Sequence, residues 1–199
     1  MTFLLAGFET SATTLTWALD LLSRHPIVWS HLADEVFDVL GHRTPSPSDL
    51  PRHRYARAVV EETLRLRPAL WAIPRMAATD DVVGGYRVPK ADLVIVVPYV
   101  THRHPEFWTD PEIFDPARFL PEHRRGIARW AYLPFGAGQR QCLGRDFALM
   151  EAVLLLAMTA QRFSQPERVR RHLPPDHLPP DPYVTLRPSD NVPIRLRPL

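Results

Sequence analysis

Phe135-Gly136-Ala137-Gly138-Gln139-Arg140-Gln141-Cys142-Leu143-Gly144 is the stretch on which the reading of this chain turns. Cys142 is the only cysteine in 199 residues, so the chain forms no internal disulfide and no zinc site built from cysteines alone. The glycines at 136, 138 and 144 let the backbone turn sharply and approach a bound group closely. Arg140, two residues ahead of the sulfur, offers a fixed fork of donors to a carboxylate or phosphate. Together these residues suggest one axial thiolate on one metal, held in a cofactor that carries acid groups. Haem fits that description.

Working outward, residues 145–163 form a strongly apolar segment that predicts a long helix directly after the loop. Residues 1–24 carry apolar and small side chains on nearly every face, which predicts a buried helix. That segment has no cap and no polar lead-in, so the chain reads as though it starts inside a helix. Residues 26–40 predict a second helix, with Pro26 at its first turn and Gly41 just past its end. A third is expected over 54–67, stopped by Pro68. Residues 82–83, 86–88 and 93–97 read as short strands, the first two joined by Gly84-Gly85. Residues 42–51 form a loop, and the Pro- and aromatic-rich residues 101–134 a long meandering connection. The tail, 174–199, has room for one or two strands. The fold class is mainly α with small β-sheets, α+β.

Composition excludes several function classes. The net charge is +2, which implies no nucleic-acid field. Lys90 is the only lysine; the other basic residues are arginines. The 22 prolines are about twice the usual share of ~5% and cluster in the loops. No segment approaches the ~20 apolar residues that span a bilayer. The apolar start lacks a positive flank and a cleavage site, so it is a poor signal peptide. A cytoplasmic location is the expectation.

Other residues become informative as companions of the loop. Glu62 and Arg65, at i and i+3, share a helix face and pair there; at a surface such a pair is worth little. In an otherwise apolar helix it needs further partners, and Arg118 is the candidate. Ala6-Gly7-Phe8-Glu9-Thr10 sets a glycine, a carboxylate and a hydroxyl in an apolar helix. The plain reading is Thr10 bonded back to the preceding turn and Glu9 in solvent. Arg75 matters only if a cofactor acid lies near it. His102 and His104 lack further histidines at metal-binding spacing.

In this order, the pieces resemble the C-terminal half of a cytochrome P450. That family's haem loop, Phe-x-x-Gly-x-Arg-x-Cys-x-Gly, is met by Phe135, Gly138, Arg140, Cys142 and Gly144. Its Glu-x-x-Arg motif is met by Glu62 and Arg65, and its Pro-x-Arg-Phe motif by Pro116, Arg118 and Phe119. Its Ala-Gly-x-Glu-Thr motif is met by Ala6, Gly7, Glu9 and Thr10. Ala91 stands where the family commonly has Gly, in a turn that needs positive φ.

The resemblance implies that residues 1–199 are the haem-binding half of one domain, its N-terminal half absent from this chain. It implies haem b, with Cys142 as the iron ligand and Phe135, Gly136, Gly138 and Gly144 shaping the loop around the sulfur. Arg140 and Arg75 would pair with the haem propionates. Ala6 and Gly7 would leave room for O2, which Glu9 and Thr10 would serve with protons. Glu62, Arg65 and Arg118 would be structural. The implied reaction inserts one oxygen atom from O2 into a small, apolar organic substrate. Electrons would come from a ferredoxin or a flavoprotein reductase, steered by Arg129 and Arg145. Phe3, Trp71 and Ile73 are candidate pocket residues. The rival expectations are an inactive truncated fragment and a peroxide-dependent haem-thiolate enzyme.

Overall fold

The computed structural model of the chain describes residues 2–169, 179–189 and 191–199, and the backbone alone for residues 2–5. In chain order the elements begin with helices α1 (Thr2–Arg24), α2 (Pro26–Leu40) and α3 (Arg54–Leu66). Strands β1 (Ile73–Met76), β2 (Asp81–Val83), β3 (Tyr86–Val88) and β4 (Leu93–Val96) follow. Next come the short helices α4 (Pro98–Thr101) and α5 (Pro121–Arg124) and the long α6 (Arg145–Arg162). Strands β5 (Glu167–Arg168), β6 (Pro180–Pro182), β7 (Leu186–Pro188) and β8 (Ile194–Arg195) close the chain. The mixture is the expected one, helices with small sheets. Residues 174–178 of the expected tail lie outside the described residues.

The core lies where α1, α2, α3 and α6 meet. Leu149, Val153, Leu156 and Ala160 recur every three or four residues along α6, so they share one face. That face packs on Leu22 of α1, Leu32 and Val36 of α2, and Val59, Val60 and Leu64 of α3. Burying each such side chain contributes roughly 1.5–3 kcal/mol. The helix ends follow from local chemistry. Gly41 at φ +55° donates its N–H to the Phe37 carbonyl at 2.8 Å and closes α2. The Arg67 N–H closes α3 on the Thr63 carbonyl at 2.7 Å, and Pro68 cannot continue the ladder.

α1 departs from the expected uniform burial. Its buried residues begin at Thr13, whereas Ala6 to Glu9 are exposed. In its first half Ser11 donates its hydroxyl to Glu151 of α6 at 3.0 Å, and its buried face lies in the second half. Trp17 anchors that half: its indole N–H donates to the Leu186 carbonyl at 2.7 Å, and the Arg67 guanidinium sits 4.9 Å above the ring.

β1 contains both Pro74 and Arg75. It pairs antiparallel with β4, Ile73 opposite Val96, in a two-stranded sheet where each strand is an edge, a place that tolerates proline. Gly84 and Gly85 have φ +57° and +86°, the signs a tight two-residue hairpin between β2 and β3 requires. Residues 101–134 carry more structure than their pattern predicts: α5, a 3-10 turn over Pro116–Phe119, and a small core of Ala58, Trp108, Phe119 and Ala131. These pieces are too short to show a helical period.

Ala91 adopts φ +72° in the turn closed by Asp92 N–H on the Pro89 carbonyl at 3.1 Å. The left-handed conformation costs an alanine about 1–2 kcal/mol, against which glycine's looser unfolded chain loses about 0.4–1 kcal/mol. Ala91→Gly is expected to stabilise the chain by roughly 0.5 kcal/mol, read as a higher urea midpoint at unchanged slope.

Candidate functional site

α3 supplies the foundation. Glu62 and Arg65 are both fully buried and pair through two bonds, Nε to Oε2 at 2.7 Å and Nη2 to Oε1 at 2.8 Å. Burial pushes the Glu62 carboxyl up, and the Arg65 bonds pull against it. The remaining donors and acceptors all go to the meander. The Asp115 N–H donates to Glu62 Oε1 at 2.9 Å, and Arg118 Nε lies 3.7 Å from the same oxygen. Arg65 donates to the carbonyls of His102 (2.9 Å), Pro111 (2.6 Å) and Ile113 (3.0 Å). Its guanidinium also lies 5.0 Å from the centroid of the Trp108 ring. Arg118 therefore converges on the Glu62–Arg65 pair from far away in sequence.

Sequence reasoning missed His102. It is fully buried, stacked 5.3 Å from the Tyr132 ring. Nε2 accepts the Leu133 N–H at 2.8 Å, which leaves the proton on Nδ1, 3.2 Å from the Arg65 carbonyl. Burial pulls its pKa down to about 4. The only sequence signal was a histidine beside a proline-rich run, with no period to show its burial. Tyr132 adds a parallel tie, its hydroxyl donating to the Glu61 carbonyl at 2.9 Å.

The cysteine loop follows. The Gly136 N–H donates to the Leu133 carbonyl at 3.1 Å, and the Cys142 N–H to the Phe135 carbonyl at 2.9 Å. Gly136 and Gly138 have φ +68° and +69°, conformations that L side chains rarely adopt. Phe135 is half-buried against the main core and roots the loop there. Gly144 caps α6, and a Cβ on it would lie 3.9 Å from the Cys142 sulfur. The Cys142 side chain itself is exposed. On another side of the loop, Arg124, Arg129, Trp130, Tyr132 and Arg145 line a cleft of about 470 Å³ that Cys142 does not enter.

β1 lies against the loop: a Cβ on Gly136 would come within 3.7 Å of Ile73 Cδ1. Ile73 and Arg75 are two residues apart on one strand and point to the same side. Arg75 spends one donor on the Pro74 carbonyl at 2.9 Å, and neither it nor Arg140 has a carboxylate partner among the described residues. Trp71, at the entry to β1, donates its indole N–H to the Tyr183 carbonyl at 2.9 Å. On α1, the Thr10 hydroxyl donates back to the Ala6 carbonyl at 2.7 Å, and Glu9 accepts from the buried Thr185 hydroxyl at 2.7 Å. A Cβ on Gly7 would meet nothing within 4 Å, so the helix surface there is open. The Phe3 side chain lies outside the described residues.

The donor set fits a haem. It offers one exposed thiol, two guanidiniums without acidic partners among the described residues, and a glycine backbone that admits close approach. Leu143, 90% exposed, adds an apolar surface beside the sulfur.

The Cytochrome P450 family model matches residues 1–191. The chain belongs to the cytochrome P450 family. It is 43% identical over 186 residues to "Cyclooctatin synthase" of Streptomyces melanosporofaciens, covering 94% of this chain and 39% of that protein. It is 40% identical over 163 residues to "Cyclooctat-9-en-7-ol 5-monooxygenase" of the same organism, covering 82% of this chain and 36% of the relative. The crystal structure of the cytochrome P450DA heme domain superposes with a TM-score of 0.92 at 36% identity, over 100% of this chain and 43% of that one. This P450 chain thus spans about two fifths of the length of these relatives.

Two outcomes are expected of the foundation. Arg65→Ala leaves the Glu62 carboxylate buried without its main partner and is expected to cost about 3–5 kcal/mol in urea unfolding. His102 is neutral when folded and takes up a proton first when unfolded, at its ordinary pKa of 6.5. Its contribution to stability is thus full above pH 6.5 and is lost as pH falls toward 4. Unfolding midpoints measured across that range should fall more steeply for the native chain than for His102→Gln.

Proposed function

We propose that residues 1–199 are the haem-binding C-terminal half of one P450 domain. The domain acts as a haem-thiolate monooxygenase, inserting one oxygen atom from O2 into a small, apolar organic substrate. The observation that carries the proposal is the exposed Cys142 thiol on a loop pinned by backbone hydrogen bonds and rooted in the core. The name of one relative, "Cyclooctat-9-en-7-ol 5-monooxygenase", supports the reaction class.

The cofactor is haem b, which when bound supplies the redox-active iron. Cys142 ligates it as a thiolate, a soft ligand whose proton is lost on metal binding. Arg140 and Arg75 hold its propionates by charge-assisted bonds. Gly136 and Gly138 keep the backbone close, and Phe135 holds the loop against the core. Ala6 and Gly7 would leave the α1 surface shallow where the bound group needs room. Rotation about one Thr10 side-chain bond releases its hydroxyl from the Ala6 carbonyl, freeing Oγ1 to hold a proton. Glu9 Oε1 is engaged by Thr185, which leaves Oε2 to exchange a proton with water.

Electrons come from a ferredoxin or flavoprotein reductase, drawn to Arg129 and Arg145 at the cleft rim. No helix among the described residues is long and apolar enough to cross a membrane, and the proposed location is the cytoplasm.

The test is spectroscopic. The chain loaded with haem, reduced and exposed to CO should show the red-shifted Soret band of thiolate ligation, and Cys142→Ser should abolish it. An unshifted band in the native chain, or a band that survives the substitution, would sink the proposal. With the band present, turnover driven by peroxide but not by O2 and a donor would favour the peroxide-dependent reading.

A further inference from the structure

We propose that His102 is a positioning residue for the Cys142 loop, its imidazole tying the backbone of the Glu62/Arg65 helix to the amide at which the loop is anchored. The connection is continuous. The Arg65 carbonyl accepts from His102 Nδ1 at 3.2 Å, and His102 Nε2 accepts the Leu133 N–H at 2.8 Å. The Leu133 carbonyl accepts the Gly136 N–H, and the Phe135 carbonyl accepts the Cys142 N–H. One neutral ring thus joins the most buried ion pair to the segment that presents the thiol.

The setting holds the ring in that state. His102 is fully buried, and its backbone carbonyl is bound by Arg65 Nη1 at 2.9 Å, which fixes both ends of the residue. The cations of Arg65 and Arg103 oppose a second ring proton. Such a proton would also remove the acceptor that Leu133 uses. Tyr132 packs against the ring and ties the neighbouring residue to α3, so residues 132 and 133 are both held to the same helix.

The role rests on Cys142 as the ligand, but its test does not require the cofactor. His102→Asn keeps an N–H near the Nδ1 position and loses the acceptor for Leu133. His102→Gln keeps an acceptor near Nε2 and loses the bond to Arg65. Each leaves one buried backbone group unpaired, at a similar cost of about 1–3 kcal/mol. A general packing role therefore predicts equal effects.

The positioning role predicts unequal ones. In the full chain without haem, amide hydrogen exchange at Leu133 and Cys142 should accelerate about tenfold or more in His102→Asn, relative to the core amide of Leu156. In His102→Gln it should stay within about twofold. On adding haem and CO, the fraction of red-shifted band should fall more in His102→Asn. Equal exchange in the two variants, or an undisturbed loop in His102→Asn, overturns the proposal. A thiolate band lost only through Cys142→Ser, with exchange equal in both variants, would retain the ligand and reject the positioning role. If neither variant folds, nitrogen NMR of the unmodified chain decides. A proton on Nδ1 and a scalar coupling from the Leu133 amide nitrogen to Nε2 support the role; a proton on Nε2 rejects it.

Discussion

The Glu62–Arg65 pair is the constraint that the rest of the structure answers to. Two full charges sit in the interior with no exposure at all. Taking ions out of water costs several kcal/mol each unless every donor and acceptor is met. The chain meets them with backbone from residues far away in sequence: the carbonyls of His102, Pro111 and Ile113, and the amide of Asp115. A segment with almost no regular structure is thereby held in one arrangement. The pair gives the meander its shape, and the meander delivers the chain to residue 133.

From there the ordering passes to the cysteine loop through short-range bonds and two left-handed glycines. The order has a functional sense. A thiol that is to bind one metal atom must be exposed, and an exposed side chain has little packing to position it. Its placement comes from the backbone beneath, where Phe135 is packed and Gly136 and Gly138 adopt turns closed to other residues. β1 meets the same loop at Gly136 and brings Arg75 to its side of the sheet. The packed Phe135 and the exposed Cys142 thiol lie on the same short loop.

Much of this was legible in the sequence. The helices of the core announced themselves through apolar spacing, a proline at a first turn and a glycine past an end. The cysteine loop was legible because its residue types are unusual together. β1 carries Pro74 because in a two-stranded sheet each strand is an edge. Burial of α1 was overread: an apolar sequence shows that a face can be buried, not that a neighbour covers it. The short helical turns between 101 and 134 carry no period. His102 had no signal, because a histidine looks the same in sequence whether it is solvated or bridging two backbone groups.

The sequence by itself determined the family and the fold class, since these rest on residue types at fixed local spacing. The resemblance also implied that Ala91 sits in a turn that needs positive φ, and its φ is +72°. Only the tertiary structure decided which groups meet. It alone showed that Arg118 reaches Glu62, that Glu9 is held by Thr185, that Arg75 and Arg140 lack acidic partners among the described residues, and that His102 bridges the Arg65 carbonyl and the Leu133 amide. The physical reason is that desolvation and hydrogen bonding are settled by neighbours in space. Residues 65, 102, 133 and 142 become neighbours only when the chain has closed on its buried charges.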